Sequence, residues 1–309
     1  MKIAVLFPGQ GSQYAGMADA WADHPAGRAS LDQASGILGW DVVERSRDPG
    51  ALELTEVVQP AVFACDVAAY AVLSAEGVKA DVAAGHSLGE YAALVASGAV
   101  DMEPGLSALA ARADAMGKAS RDAPGAMTAL LGLSPEEAHE VCAIAGRGDV
   151  LAVANENSSR QTVLSGSVSA IEKAEELART RGAKAIRLNV AGAFHSPLME
   201  PALPMVREAL SKVQFRQPSF PIVPNVTARP TQQPLELRDL LSRHLVSPVR
   251  WDATLKAMDG LGATVFIEAG PGDVLSKLAK RAVPGALVVA VGSPERVREA
   301  VEGIAAREE

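Results

Sequence analysis

The stretch from Asp81 to Gly98 constrains this chain more than any other. A short apolar run, Val82-Ala83-Ala84, ends in Gly85-His86-Ser87-Leu88-Gly89, a G-x-S-x-G pattern, and apolar residues at Leu88, Tyr91, Ala92 and Val95 then recur at helical spacing. The order predicted is strand, tight turn, helix. At such a turn a serine hydroxyl stands exposed, and the flanking glycines are needed because side chains there would collide with the strand and the helix. The helix that follows aims its amino end, with unpaired N–H groups and partial positive charge, at any oxyanion forming beside Ser87. Five residues alone would also suit an ordinary glycine-punctuated turn. The strand before and the helix after favour a nucleophile.

With 309 residues the chain has ample size for one large domain or two modest ones. Hydrophobic residues make up 48% and charged ones 21%, a globular balance that excludes a disordered or fibrous chain. A net charge of −8 argues against general binding of nucleic acid or anionic membranes. Cys65 and Cys142 lie far apart and form no metal or redox motif, as expected of reduced packing residues in a cytoplasmic protein. The Ile3–Phe7 run is too short for a signal-peptide core, and no uninterrupted apolar stretch approaches the ~18 residues of a membrane span.

Ile3-Ala4-Val5-Leu6-Phe7 reads as a strand covered on both faces. The loop after it, Pro8-Gly9-Gln10-Gly11-Ser12-Gln13, approaches a dinucleotide fingerprint with Gly16, but Tyr14 breaks the G-x-G-x-x-G spacing. Helices are predicted over 17–21, 30–38, 61–76 and 104–118. From Asp122-Ala123-Pro124-Gly125 onward the pattern changes: strand 126–131, a helix capped by Ser134 with Pro135 behind it, strands 150–154 and 161–165, helix 167–181 with Ser169 near its start, strand 185–190. That βαββαβ order over about 65 residues is the ferredoxin-like arrangement, able to fold as an insert. An α/β pattern then resumes, with helices at 206–211, 235–244, 251–258 and 273–281, a short strand at Ile222-Val223, and strands at 264–268 and 286–291. The expected fold class is α/β. The domains expected are 1–123 joined to 192–309, and an insert over 124–191.

A serine hydroxyl needs a base, and five histidines are available. His24 lies in a loop, His86 adjoins the serine and leaves the turn in another direction, His139 falls on a polar helix face, and His244 sits near a helix end. These four read as surface or structural. His195, in Gly192-Ala193-Phe194-His195-Ser196-Pro197, lies just past an apolar strand at the domain seam, where loops carry function. No acid stands out to orient it, so a backbone carbonyl is expected in that role. Arg112 falls near the apolar stripe of its helix with Leu109 and Met116, which suits either a snorkelling side chain or a fork gripping a carboxylate.

Phe7-Pro8-Gly9-Gln10-Gly11-Ser12-Gln13, Gly85 to Glu90, Arg112, Gly192 to Ser196, Ser247-Pro248-Val249-Arg250-Trp251 and Glu268-Ala269-Gly270-Pro271-Gly272 together resemble the malonyl-CoA:acyl carrier protein transacylases, in that family's order and approximate spacing over nearly the whole chain. The resemblance implies an α/β-hydrolase-like large domain with a ferredoxin-like insert and an active site between them. It implies Ser87 as nucleophile, His195 as base, and the backbone N–H groups of Gln10 and Leu88 as the oxyanion hole. It assigns the carbonyl that orients the histidine to Arg250, where the family often has glutamine or asparagine. Arg112 matches the residue that binds the malonyl carboxylate, and Gln161 a position near bound coenzyme A. Phe194 walls the site where a substituent on the malonyl α-carbon would point, and His86 joins the substrate-binding residues.

The implied reaction is ping-pong transfer of malonyl from coenzyme A to the phosphopantetheine thiol of an acyl carrier protein, without cofactor or metal. The partners expected are malonyl-CoA and that carrier, with no nucleic acid and no membrane, and the chain is expected to be a monomer. A carrier protein is acidic, so Arg179, Arg181, Lys184, Arg187, Lys277, Lys280 and Arg281 are candidate contacts, each equally readable as a solvated charge. The rivals are a transacylase serving a polyketide assembly line in trans with another acyl group, a serine thioesterase or esterase on the same elbow, and a non-enzymatic scaffold.

Overall fold

The computed structural model describes residues 1–307. The chain runs β1 (Ile3–Phe7), α1 (Asp19–Ala22), α2 (Pro25–Leu38), α3 (Val42–Ser46), α4 (Thr55–Ala75), β2 (Val82–Gly85), α5 (Gly89–Ala96) and α6 (Met102–Asp122). Then follow β3 (Ala126–Leu131), α7 (Pro135–Ala145), β4 (Leu151–Ser158), β5 (Gln161–Gly166), α8 (Val168–Thr180) and β6 (Lys184–Arg187). It closes with α9 (Leu203–Ser211), α10 (Pro234–Arg243), α11 (Trp251–Gly260), β7 (Val265–Ala269), α12 (Val274–Ala282), β8 (Leu287–Val291) and α13 (Pro294–Ala305).

Two sheets result, both α/β in character. The larger is parallel, in the order β2-β1-β7-β8, with Phe7 opposite Gly85 and Leu6 opposite Glu268. All five residues of β1 are buried because successive side chains enter opposite cores: Ile3, Val5 and Phe7 pack with α4 and α6, Ala4 and Leu6 with Trp251, Leu255 and Leu278. The in-register pairing brings the carboxyl ends of β1, β2 and β7 to one edge, so the loops at Pro8, His86 and Gly270 emerge side by side.

The smaller sheet is antiparallel, ordered β4-β5-β3-β6. One face holds α7 and α8 through Leu130, Val141, Leu164 and Ile171. From the other, Met127, Ala129, Ala154 and Val163 join the main core. The units are stitched where Val249 N donates to Ala154 O at 2.8 Å and Glu156 N donates to Val249 O at 2.9 Å.

Several boundaries differ from the sequence reading. Helix α4 begins at Thr55 and carries Pro60 inside it. An internal proline costs about 3 kcal/mol, but the side chains from Val57 to Asp66 are all buried, and that burial outweighs one missing backbone bond. α4 is also the one helix among the described residues long and apolar enough to cross a membrane, yet 78% of its most apolar window is packed inside the protein. α6 runs from 102 to 122, longer than predicted, β6 stops at Arg187, and the cap of α8 is Ser167, whose side chain accepts from Ala170 N. Ile222 forms only isolated bridges, to Ala83 and Thr231. α3 and α13 were not anticipated, although Ser293 caps α13 with Pro294 behind it.

Candidate active site

The turn after β2 is as tight as the glycines require. A Cβ on Gly85 would lie 1.8 Å from the Gly89 carbonyl carbon, and one on Gly89 would lie 2.3 Å from Phe7 O. Between them Ser87 takes φ 54, a left-handed conformation that costs a non-glycine residue about 1–2 kcal/mol. A clamp unforeseen from the sequence holds it there. The Asn225 Oδ1 accepts from Ser87 N at 2.8 Å, its Nδ2 donates to Gly85 O at 2.7 Å, and its own N–H donates to Glu90 Oε2 at 2.9 Å.

His195, 3% exposed and also left-handed at φ 58, places Nε2 at 2.8 Å from Ser87 Oγ. Its Nδ1 lies 3.1 Å from Ser247 O and 3.2 Å from His244 O. Carbonyls only accept, so Nδ1 carries the proton and the Nε2 lone pair faces the hydroxyl. This corrects the assignment to Arg250, whose carbonyl instead accepts from Thr254 N at 2.9 Å at the start of α11. Three residues earlier, the turn through Ser247 brings its carbonyl to the ring. Burial, and then the Arg112 charge, push the His195 imidazole down to about 3, so it is neutral and basic in form at physiological pH.

Arg112 is 2% exposed, so its charged head does not reach solvent as that of a snorkelling side chain would. Its Nη2 donates to Ser87 Oγ at 3.0 Å and its Nη1 to Gln59 Oε1 at 2.5 Å. Gln59 Nε2 in turn donates to Gln10 Oε1 at 3.2 Å. Gln59 escaped the sequence reading because the helix predicted there starts at 61, whereas Gln59 lies in the second turn of α4.

A cavity of about 460 Å³ opens over Ser87, lined by Gln10, Gln59, His86, Met116, Phe194 and His195 among others. It shares Gln10, His86, Asn155 and Leu188 with an adjoining chamber of about 600 Å³. That chamber runs between the β1 loop and α12 on one side and the small sheet, including Gln161 and Asn157, on the other. At the junction His86 Nε2 meets Asn157 Oδ1 at 3.0 Å, and the His86 ring lies tilted against Trp251 at 5.3 Å. Among the described residues the amide N–H groups of Gln10 and Leu88 donate to no protein acceptor. Nor do the described residues hold a cluster able to bind a metal.

The other histidines divide. His24 caps α2 and His139 meets Glu156 at 2.9 Å on the surface, whereas His244 is buried with its ring 5.1 Å from that of His195. Of the basic candidates, Arg187 forks onto Glu175 at 2.7 and 3.2 Å, and Arg179, Arg181 and Lys277 are also paired with acids. Lys184, Lys280 and Arg281 have no ion-pair partner among the described residues.

Comparison with known proteins agrees with this geometry. The family model described as an acyl transferase domain matches residues 5–296. A malonyl CoA-acyl carrier protein transacylase of Bacillus subtilis is 36% identical over 306 residues, 97% of this chain and 96% of the relative. The chain belongs to the malonyl-CoA:acyl carrier protein transacylase family. Among solved structures of that family, the acyl-carrier-protein S-malonyltransferase of Burkholderia pseudomallei superposes with a TM-score of 0.93 at 38% identity, covering 98% of this chain and all of that one. A malonyl-transacylase solved in complex with a type II polyketide acyl-carrier protein gives a TM-score of 0.94 at 33% identity, over 98% of this chain and all of that one. As a transacylase of this family, the chain places its serine, histidine and arginine within one hydrogen-bonded group.

Proposed function

We propose that this enzyme transfers malonyl from coenzyme A to the phosphopantetheine thiol of an acyl carrier protein through a malonyl ester on Ser87. The observation that carries the reading is the single oxygen, Ser87 Oγ, contacted at once by the His195 base and the Arg112 cation. Nε2 takes the hydroxyl proton as Oγ bonds to the thioester carbon, and the N–H groups of Gln10 and Leu88 receive the oxyanion. The C–S bond then breaks, and Nε2 returns the proton to the coenzyme A sulfur. In the second half the carrier thiol gives its proton to Nε2 and attacks the ester, and Ser87 Oγ recovers that proton. Arg112 turns from Oγ to the malonyl carboxylate and fixes the acyl group.

The chamber reaching Gln161 suits the pantetheine arm of either thioester, and Lys184, Lys280 and Arg281 are the cations available to an acidic carrier. Residues 124–191 are proposed as a ferredoxin-like insert in an α/β-hydrolase-like domain. The small sheet order β4-β5-β3-β6 and its two helices on one face support that description. Fatty-acid and polyketide synthesis both employ such carriers, and the second solved relative is seen with a polyketide one.

Intact-mass analysis after mixing with malonyl-CoA tests the reading. A malonyl adduct is expected, absent in Ser87→Ala and discharged by a thiol-bearing carrier protein. Release of free malonate without carrier would mark a hydrolase instead.

A further inference from the structure

The run Glu268-Ala269-Gly270-Pro271-Gly272 has no part in the reaction above, yet it puts a carboxylate in the middle of the sheet. Strand β7 lies between β1 and β8, and Val265, Ile267 and Ala269 enter one core while Phe266 enters the other. By the two-residue period Glu268 shares the face of Phe266, and it is wholly buried. A carboxylate is tolerated there only if its oxygens are satisfied. Oε1 accepts from Leu275 N at 3.0 Å and Oε2 from Ser276 N at 2.7 Å, the amides of the second and third residues of α12.

A helix is ordinarily capped by the residue just before it, here Asp273. Asp273 makes no such bond, and its Oδ1 meets Lys277 Nζ at 2.8 Å instead. The difference bears on position. A cap within the turn closes the helix end wherever that end lies, whereas a cap reaching out from β7 ties the helix end to the sheet. The tied helix is a wall of the chamber of about 600 Å³: Val274, Leu275 and Leu278 line it together with Gln10, as do Asn157 and Gln161 of the small sheet.

We propose that Glu268 is a positioning residue for the thioester arm, holding the first turn of α12 at the distance from the small sheet that a pantetheine chain fills. The inference rests on the reading of that chamber as the seat of the arm. Coenzyme A and the carrier bring the same arm, so both half-reactions depend on Glu268 alike. The contacts of Ser87 Oγ, to His195 and Arg112, do not involve α12, so the chemistry itself does not depend on it. Loss of the tie therefore weakens binding of the thioester and leaves the bond-making step intact.

The test compares single-turnover loading of Ser87 in the full-length enzyme from malonyl-CoA and from malonyl-N-acetylcysteamine, a thioester that keeps the acyl group and only the sulfur end of the arm. Glu268→Gln preserves the shape of the side chain, but its one amide oxygen can accept from only one of the two N–H groups. The expected result is a malonyl-CoA concentration for half-maximal loading about tenfold higher, the equivalent of one lost hydrogen bond, with the maximal rate and the loading from the short thioester as in the native enzyme. Glu268→Asp, with both acceptors on a stem one methylene shorter, should show the same split and serves where Glu268→Gln does not fold. An equal loss for the two thioesters, a fall in maximal rate alone, or no loss at all would overturn the inference. So would equal kcat/KM for the two thioesters in the native enzyme, a result that needs no variant. Failure of the native enzyme to form a malonyl ester from either thioester would overturn the transfer reading and this inference with it.

Discussion

Replacing Arg112 by alanine separates recognition of the malonyl carboxylate from the rest of the chemistry. The substitution removes the donor to Ser87 Oγ and leaves Gln59 Oε1 without its 2.5 Å partner, losses shared by every acyl group. Only malonyl loses a charge partner as well. Breaking one side of a buried charge pair costs about 2–5 kcal/mol, or about 30- to 4,000-fold in kcat/KM. Acetyl-CoA, by contrast, leaves the native guanidinium unpaired, so its own loss should stay within the shared part. The assay is single-turnover loading of Ser87 from each thioester, and the ratio of the two losses is the quantity that matters. Arg112→Lys should recover a fraction, because a point charge lacks the fork that meets both carboxylate oxygens. An equal loss for malonyl and acetyl would refute the clamp, whatever the absolute rates.

Phe194, which walls the 460 Å³ cavity, should set tolerance at the malonyl α-carbon. Phe194→Ala is expected to narrow the preference for malonyl over methylmalonyl by about 1–3 kcal/mol in direct competition, and an unchanged ratio would move that boundary elsewhere. Asn225→Ala strips acceptor and donor from Ser87 N and Gly85 O, costing about 1–3 kcal/mol for each buried group left unpaired. Urea unfolding should show the loss of stability, with kcat for loading falling alongside it. Asp66 is buried with both oxygens unpartnered, and burial followed by repulsion from Glu268 raises it well above the usual carboxylate range. A raised folded-state pKa contributes stability that is complete below about pH 4 and drains away as pH rises toward the folded value, by up to about 1.4 kcal/mol per pH unit. Asp66→Asn should therefore gain on the native enzyme between pH 5 and 8 in denaturant titrations, and parallel curves would refute the assignment.

What could be read beforehand was local. The elbow, the capping box at Ser134 and Glu137, and the strand–helix rhythm of residues 126–187 each announce themselves within a few residues, since turn chemistry and side-chain period are short-range properties. Ser87, His195 and Arg112 were legible through motif and helix position. What stayed hidden depends on segments far apart in the chain. Asn225 reaches the elbow across 138 residues from a loop with no motif of its own, and the carbonyls of His244 and Ser247 cross 49 and 52 residues to His195. Pro60 misled because propensity counts the missing N–H and not the packing around it.

His195 Nδ1 meets the carbonyls of Ser247 and His244 where a serine–histidine–acid triad has a carboxylate, an arrangement that suits an arginine held at the serine. An acid bonded to His195 Nδ1 would draw a proton onto the ring and would offer the Arg112 charge, which acts on that ring, a second anion beside malonate. Carbonyl dipoles fix the tautomer without doing either. In the proposed reaction the imidazole then stays neutral until it accepts the serine proton, and the guanidinium keeps its charge for the malonyl carboxylate.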